Sequence, residues 1–114
     1  MVINKQNLDL VFNALSDATR RAMLTRLAEG EANISTLSAP FKISQPAISK
    51  HMRVLEKAGL IERHKNGREH FISIAPKRAK EAQNWIGFYT KHWEARFDAL
   101  DAYLKEHDLE NHKN

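Results

Sequence analysis

The chain has 114 residues, a length typical of one domain, and its 42% of hydrophobic residues can form only a small core. It contains no cysteine, which excludes disulfides, thiolate metal sites and cysteine nucleophiles, and its formal net charge of +4 favours a polyanionic partner. No apolar run is long enough to span a bilayer and the N-terminus lacks a charged-then-apolar leader pattern, so we expect a cytoplasmic protein with no membrane partner.

Three short helices are predicted in the first part of the chain. The first covers residues 6–15, where four apolar residues recur at helical spacing: Leu8, Val11, Phe12 and Leu15. Asp17 is predicted to cap a second helix that ends at Gly30. After a short extended segment at residues 32–34, interpreted as an isolated strand, Ser35 is predicted to cap a brief third helix. Three arginines on the second helix are interpreted as solvated charges or ion-pair partners of Asp17 or Glu29: Arg20, Arg21 and Arg26.

A fourth helix, over residues 44–58, organises the chain. Ser44 supplies an N-cap, Pro46 fits the first turn and Gly59 ends the helix. At about 100° per residue, one stripe is suited to a core: Ile48, His51, Met52, Leu55 and Ala58. The opposite face is polar and cationic: Gln45, Pro46, Ser49, Lys50, Arg53 and Lys57. Short polar groups can contact base edges and cations can contact phosphates, so this pattern indicates a recognition helix in a helix-turn-helix.

The hydrophobic period changes to that of strands at Leu60. Asn66-Gly67 is a strong two-residue hairpin signal, and counting outward from it pairs Arg63 with His70 and Ile61 with Ile72. Cationic residues then gather at the tip of the hairpin: Arg63, His64, Lys65 and Arg68. The segment from Ser44 to His70 contains six Lys or Arg and three Glu, which gives it a net charge of +3. A basic hairpin after a recognition helix indicates a wing, here over residues 61–74.

A last helix is predicted over residues 77–105, and residues 106–114 are expected to fray. It carries a long apolar stripe: Trp85, Ile86, Tyr89, Trp93, Phe97, Leu100 and Leu104. This stripe is more than one small domain can cover, so it predicts a homodimer through the first and last helices. The predicted interface comprises Leu8, Val11 and Phe12 together with Trp85, Tyr89, Trp93, Phe97, Leu100 and Leu104. The predicted fold is mainly α with a small β-hairpin, in the order α-α-(β)-α-α-β-β-α, as a single winged helix-turn-helix domain over residues 1–114.

Two runs carry a resemblance to a known family: FNALSDATRRAMLTRLAEGE and SQPAISKHMRVLEKAGLIERHKNGREHFISI. They resemble the ArsR-type winged helix-turn-helix repressors over residues 6–75. The core pattern SxxAxSKHxxxLxxAGLI is formed by Ser44, Ala47, Ser49, Lys50, His51, Leu55, Ala58, Gly59, Leu60 and Ile61. The tail, with W-I-x-x-Y-x-x-x-W from Trp85 to Trp93, is similar to the metal-independent branch of small autorepressors.

The resemblance implies a homodimeric repressor that blocks transcription at a palindromic operator in double-stranded DNA. It implies contacts at Ser44, Gln45, Ser49, Lys50 and Arg53 and in the wing at residues 65–68, whereas His51 supports the core. With the residues indicated by the helix face and the hairpin, the predicted DNA-binding set is Ser44, Gln45, Pro46, Ser49, Lys50, Arg53, Arg63, Lys65, Asn66 and Arg68.

Two alternatives remain open. The winged helix could serve only protein–protein contact, although such a module would be expected to lose the basic face. The chain could instead be a metal-responsive repressor, but it has no cysteine, and His92 and His107 lack the spacing of the family's known metal sites. No nucleophile–base spacing, Gly-rich phosphate loop or carboxylate pair indicates an enzyme, and no cofactor is expected.

Overall fold

The computed structural model describes residues 4–112, and the side chains of residues 4–107. Its elements are α1 (Lys5–Leu15), α2 (Ala18–Leu27), β1 (Ala32–Asn33), α3 (Ile34–Ser38), α4 (Gln45–Lys57), β2 (Ile61–Asn66), β3 (Glu69–Ile74) and α5 (Pro76–His112). The predicted order of elements is confirmed. The chain divides into two compact units at Ala82 and Gln83, so that α5 begins in the first unit and forms the second.

Side-chain caps fix where the short helices of the first unit begin. Asn4 caps α1, and Asp17 caps α2 as predicted, with its carboxylate accepting from the Arg20 backbone N–H at 3.0 Å. The cap of α3 is Asn33, so the expectation of Ser35 is wrong. The Asn33 side chain accepts from the Thr36 N–H at 2.7 Å, and its own extended backbone turns the chain from β1 directly into the helix.

The sheet has three antiparallel strands in the order β1-β3-β2. The extended segment predicted as an isolated strand is instead an edge strand of this sheet, in which Ala32 pairs with Ile72. The predicted hairpin register is wrong by two residues, because Arg63 pairs with Ile72 and Asn66 pairs with Glu69. The turn is thus Gly67-Arg68. Gly67, at φ +68°, occupies the first central position, where hairpin turns need a positive φ, and Asn66 remains extended in β2.

The core of the first unit lies where the four short helices meet the sheet. The inner stripe of α4 is confirmed, since Ile48, Met52 and Leu55 are buried and His51 is half-buried. The other buried apolar side chains come from every element around it: Val11, Ala14, Met23, Leu27, Ala32, Leu37, Ala58, Leu60, Ile61, Ile72 and Ala82. Burial at about 25 cal/mol per Å² of apolar surface is the main force that holds α4 against the sheet.

Helix α5 is longer than the 77–105 predicted. It begins at Pro76, whose missing N–H costs nothing in a first turn, and it continues to His112. Residues 106–112, expected to fray, are helical, and residues 113–114 lie outside the described part. Near this end, side chains contact residues one turn earlier in the helix: Lys105 forms an ion pair with Asp101, and His107 Nδ1 donates to the Tyr103 carbonyl. Within residues 4–112, no helix has the length and apolar character needed to cross a membrane.

Candidate nucleic-acid interface

Both ends of α4 are fixed by local chemistry. The Ser44 hydroxyl accepts from the Ala47 N–H at 3.3 Å, and Pro46 lies in the first turn. At the other end, the Gly59 N–H donates to the Glu56 carbonyl and the Leu60 N–H donates to the Leu55 carbonyl. This is a Schellman motif, and it requires the positive φ of +73° that Gly59 adopts. The side chains between these caps therefore project from a helix with defined ends.

The recognition face, as we call the outer side of α4, is exposed along the whole helix. It comprises Gln45, Pro46, Ser49, Lys50, Arg53 and Lys57. The residues near the N-terminus are short or neutral, and those further along are cationic. Such a face can approach base edges closely with amide and hydroxyl groups while its cations neutralise phosphates.

A polar cluster that was not predicted from the sequence joins α4 to α2. The Arg20 guanidinium donates to the carbonyls of Asn13 and Ala14 at the end of α1, and its Nη1 lies 3.2 Å from His51 Nδ1. Asp17 Oδ2 lies 3.8 Å from the same nitrogen of His51. Arg20 is therefore neither a solvated charge nor an ion-pair partner alone. One sequence signal could have indicated the Arg20 contacts with α1. Arg20 lies six residues after Ala14, within reach of the free carbonyls at the end of that helix.

Asp17 is the titratable group most affected by this cluster. The backbone N–H of Arg20 lowers the pKa of Asp17 below its ordinary value of 3.8, and the charges of His51 and Arg20 act in the same direction. Desolvation opposes these effects without reversing them. The charged carboxylate is thus the form that caps α2.

The β2–β3 register separates the charges of the wing onto two faces. Alternation along the strands puts the side chains of Arg63, Lys65 and His70 on the side that also carries the buried Ile61 and Ile72; we call the three polar residues the basic wing face. The opposite side carries Glu62, His64, Glu69 and Phe71, and His64 Nε2 lies 2.7 Å from Glu31 Oε2. The predicted tip cluster of four cations is therefore divided, with His64 on the other face.

An ion pair joins the basic wing face to α4. Arg63 donates from both Nε and Nη2 to Glu56 Oε1, at 2.9 and 2.6 Å. Lys65 projects from the same face, Asn66 ends β2 and Arg68 lies in the turn, and all three are exposed. The predicted DNA-binding residues thus lie on the exposed surfaces of α4 and the wing, with Arg63 already engaged by a carboxylate.

The residues predicted for a dimer interface differ in exposure. Val11 is only 1% exposed and belongs to the core, so its side chain offers almost no surface to a second chain. Leu8 is half-buried, and Phe12 is 36% exposed. All the predicted α5 residues are exposed: Trp85, Tyr89, Trp93, Phe97, Leu100 and Leu104. Phe88 and Tyr103, which the prediction omitted, are also exposed.

The described residues contain no metal-binding cluster, because no three of their His, Asp or Glu side chains converge as a metal site would require. The observed His contacts are instead with protein groups: His51 with Arg20 and Asp17, and His64 with Glu31.

The fold and the basic recognition face define a winged helix-turn-helix DNA-binding regulator. The sequence profile described as "Bacterial regulatory protein, arsR family" matches residues 17–63. The transcriptional repressor SdpR of Bacillus subtilis is 34% identical over 76 residues, which cover 67% of this chain and 84% of SdpR. The chain belongs to the ArsR family of transcriptional regulators.

Solved structures agree with this assignment. The crystal structure of an ArsR family transcriptional regulator superposes with a TM-score of 0.76 at 36% identity, covering 82% of this chain and 97% of that one. A homodimeric winged helix-turn-helix DNA-binding domain from Mycobacterium bovis has a TM-score of 0.60 at 22% identity, covering 79% of this chain and 84% of that one, which shows the fold alone. These relatives are regulators rather than enzymes.

Proposed function

We propose that this protein is a homodimeric repressor of the metal-independent branch of its family, which acts in the cytoplasm on a palindromic operator in double-stranded DNA. Each protomer inserts α4 into a major groove. A two-fold axis sets the two helices one helical turn of DNA apart, about 34 Å. Occupation of the operator then blocks transcription.

The observation that carries this proposal is the recognition face of α4. Its side chains are exposed, while the opposite side of the same helix is packed in the core. Gln45 and Ser49 can contact base edges, with Ser44 and Pro46 close to the duplex, and Lys50 and Arg53 can contact bases or phosphates. Lys65, Asn66 and Arg68 would contact the backbone beside the groove. Arg63 would mainly orient the wing through Glu56.

The exposed apolar side chains of α5 support the homodimer. From Trp85 to Leu104, the helix presents nine large hydrophobic residues that are each at least 39% exposed. A surface of this kind is rarely left open to water, and an identical surface on a second chain covers it with one symmetric contact. The homodimeric domain from Mycobacterium bovis has the same fold.

Selection of bound duplexes from a random DNA pool, followed by sequencing, tests the proposal. We expect an inverted repeat whose half-site centres lie about one helical turn apart, 10–10.5 base pairs, or a multiple of that spacing. Enrichment of no sequence at all would contradict sequence-specific recognition. Enrichment of a single half-site without a repeat would keep the recognition helix but contradict the symmetric dimer on DNA.

The two alternative functions are less well supported. A winged helix used only for protein contact has no need for the cations of the recognition face and the basic wing face. A metal-responsive repressor needs about four convergent ligands, and this chain has no cysteine to supply them. We therefore propose that neither a metal nor another cofactor is required for operator binding.

A further inference from the structure

We propose that His70 is a proton-dependent DNA contact, so that operator affinity increases as the pH falls through the range in which histidine titrates. This inference rests on the proposed function. His70 lies outside the residues predicted from the sequence to bind DNA, and the expected hairpin register paired it with Arg63. The observed register pairs it with Lys65 instead.

The first argument is the position of His70 on the basic wing face. It is exposed, and alternation along β3 puts it on the same side as Ile72, whose cross-strand partner is Arg63. Arg63 is hydrogen-bonded to Glu56 of α4, so this side of the wing adjoins the recognition helix. DNA bound along α4 would therefore meet the basic wing face with Lys65 and His70 side by side.

The second argument is the distribution of charge between the two faces. The opposite side carries Glu62 and Glu69, and Glu31 is hydrogen-bonded to His64 there. A polyanion is repelled from such a surface and attracted to the side that holds Arg63 and Lys65. The two histidines of the hairpin are thus distinguished by geometry, since His70 would face the DNA and His64 is held by a carboxylate on the other side.

The charged groups around His70 are few. Lys65 is its cross-strand neighbour, Arg63 lies on the same face, and Glu69 precedes it in β3. His70 and Glu69 also line a small concavity with the start of α3, where the lining residues are Asn33, Ile34 and Ser35, none of them charged. A phosphate beside His70 favours the imidazolium over the neutral ring, so DNA binding would take up a proton.

The test compares four proteins on the duplex selected from the random pool: wild type, His70→Ala, His70→Lys and the matched control His64→Ala. Affinity is measured at pH 6 and pH 8 over a range of salt concentrations. We expect wild type and His64→Ala to bind about tenfold more tightly at pH 6, the effect of one hydrogen bond to a charged group. His70→Ala should bind at pH 6 as wild type does at pH 8, with a salt slope less steep by about 1 per lost contact.

The lysine variant checks that charge is the cause. His70→Lys carries its cation at both pH values, so it should bind tightly at pH 6 and at pH 8 alike. Equal affinities, salt slopes and pH dependence for His70→Ala and wild type would overturn this inference alone. A wild-type protein that binds no duplex would overturn the proposed function as well. Circular dichroism checks the fold of each variant, and the exposure of both histidines favours correct folding.

Discussion

The side chains of Arg20 and His51 meet 3.2 Å apart and join α2 to the recognition helix. An arginine guanidinium can only donate, so His51 Nδ1 is the acceptor where the two side chains are hydrogen-bonded. The same guanidinium satisfies two carbonyls at the end of α1. One side chain thus fixes the positions of three helices, including the helix that would enter the DNA.

The first prediction concerns this connection. Arg20→Ala should lower the free energy of unfolding by about 1–3 kcal/mol, because it leaves the half-buried His51 nitrogen and two helix-terminal carbonyls without their donor. Arg21→Ala is the matched control, since Arg21 is exposed and donates to the Leu15 carbonyl alone. Urea unfolding measures both variants. Equal losses for the two would contradict a special role for Arg20.

The second prediction concerns acid. The pKa of Asp17 is lowered in the folded state, so its ionised form stabilises the fold above the ordinary value of 3.8, and this contribution is lost as the pH falls through the folded pKa. Asp17→Asn retains an N-cap without the charge. The stability difference between wild type and Asp17→Asn should therefore be largest near neutral pH and shrink below pH 3.8. Unfolding curves from pH 7 to pH 3 measure it.

A control separates the charge of Asp17 from its cap. Asp17→Ala removes the acceptor of the Arg20 N–H altogether and should be less stable than Asp17→Asn at every pH. A difference between wild type and Asp17→Asn that stays constant with pH would contradict the electrostatic explanation.

The third prediction concerns the end of α4. Gly59→Ala should be destabilising by about 1–2 kcal/mol, because a non-glycine residue is strained at φ +73°. The added Cβ would also lie 2.6 Å from Arg78 Cγ, so the Arg78 side chain must move. Gly87→Ala is the opposite control. Gly87 is helical with open space around it, so alanine there should stabilise α5 by about 0.5–1 kcal/mol. Thermal unfolding that shifts in the same direction for both would contradict this account.

The sequence correctly predicted the elements whose signals lie within a few neighbouring residues. The caps Ser44 and Asp17, the stop at Gly59 and the inner stripe of α4 each depend on side chains within a few residues of one another. The resemblance to a family covered the same segment and implied the same fold. The faces of α4 followed directly, because helical periodicity determines which residues share a side.

The sequence did not predict features that depend on which of two adjacent turns forms, on which residues of a stripe are buried, or on contacts between distant residues. Asn66-Gly67 and Gly67-Arg68 are both acceptable turns, and the pairing of Ile61 with Ile74 selects the second. Val11 fits an amphipathic stripe, but the stripe does not tell which of its residues enters the core. The Arg20–His51 contact spans 31 positions, so no local pattern could predict it. The division of the wing into two faces followed only from the register.

The fourth prediction concerns the recognition face. Lys50→Ala and Arg53→Ala should each weaken operator binding by about 1–3 kcal/mol if the side chain contacts a base. If it contacts only phosphate, affinity should fall equally for all sequences and the salt slope should decrease by about 1. Lys91→Ala is the control, an exposed cation on α5 outside the proposed interface. Operator and scrambled duplexes are titrated at low and high salt. Unchanged affinities for both α4 variants would contradict the recognition-helix assignment.

The fifth prediction concerns assembly, on which the palindromic operator depends. Trp93 and Phe97 are 55% and 56% exposed, with ring centroids 5.4 Å apart. Because their side chains are exposed in the single chain, Trp93→Glu with Phe97→Lys should disrupt the dimer with little loss of helix and no change in net charge. Operator binding should then be lost, although no proposed DNA contact is altered.

A control changes the opposite side of α5. Lys91→Glu with Asp98→Lys exchanges charges there and should leave both the dimer and operator binding intact. Sedimentation at micromolar concentration measures assembly: we expect wild type at twice the chain mass of 13.1 kDa. A wild-type monomer would contradict the dimer, and a variant that remains dimeric would contradict the α5 interface.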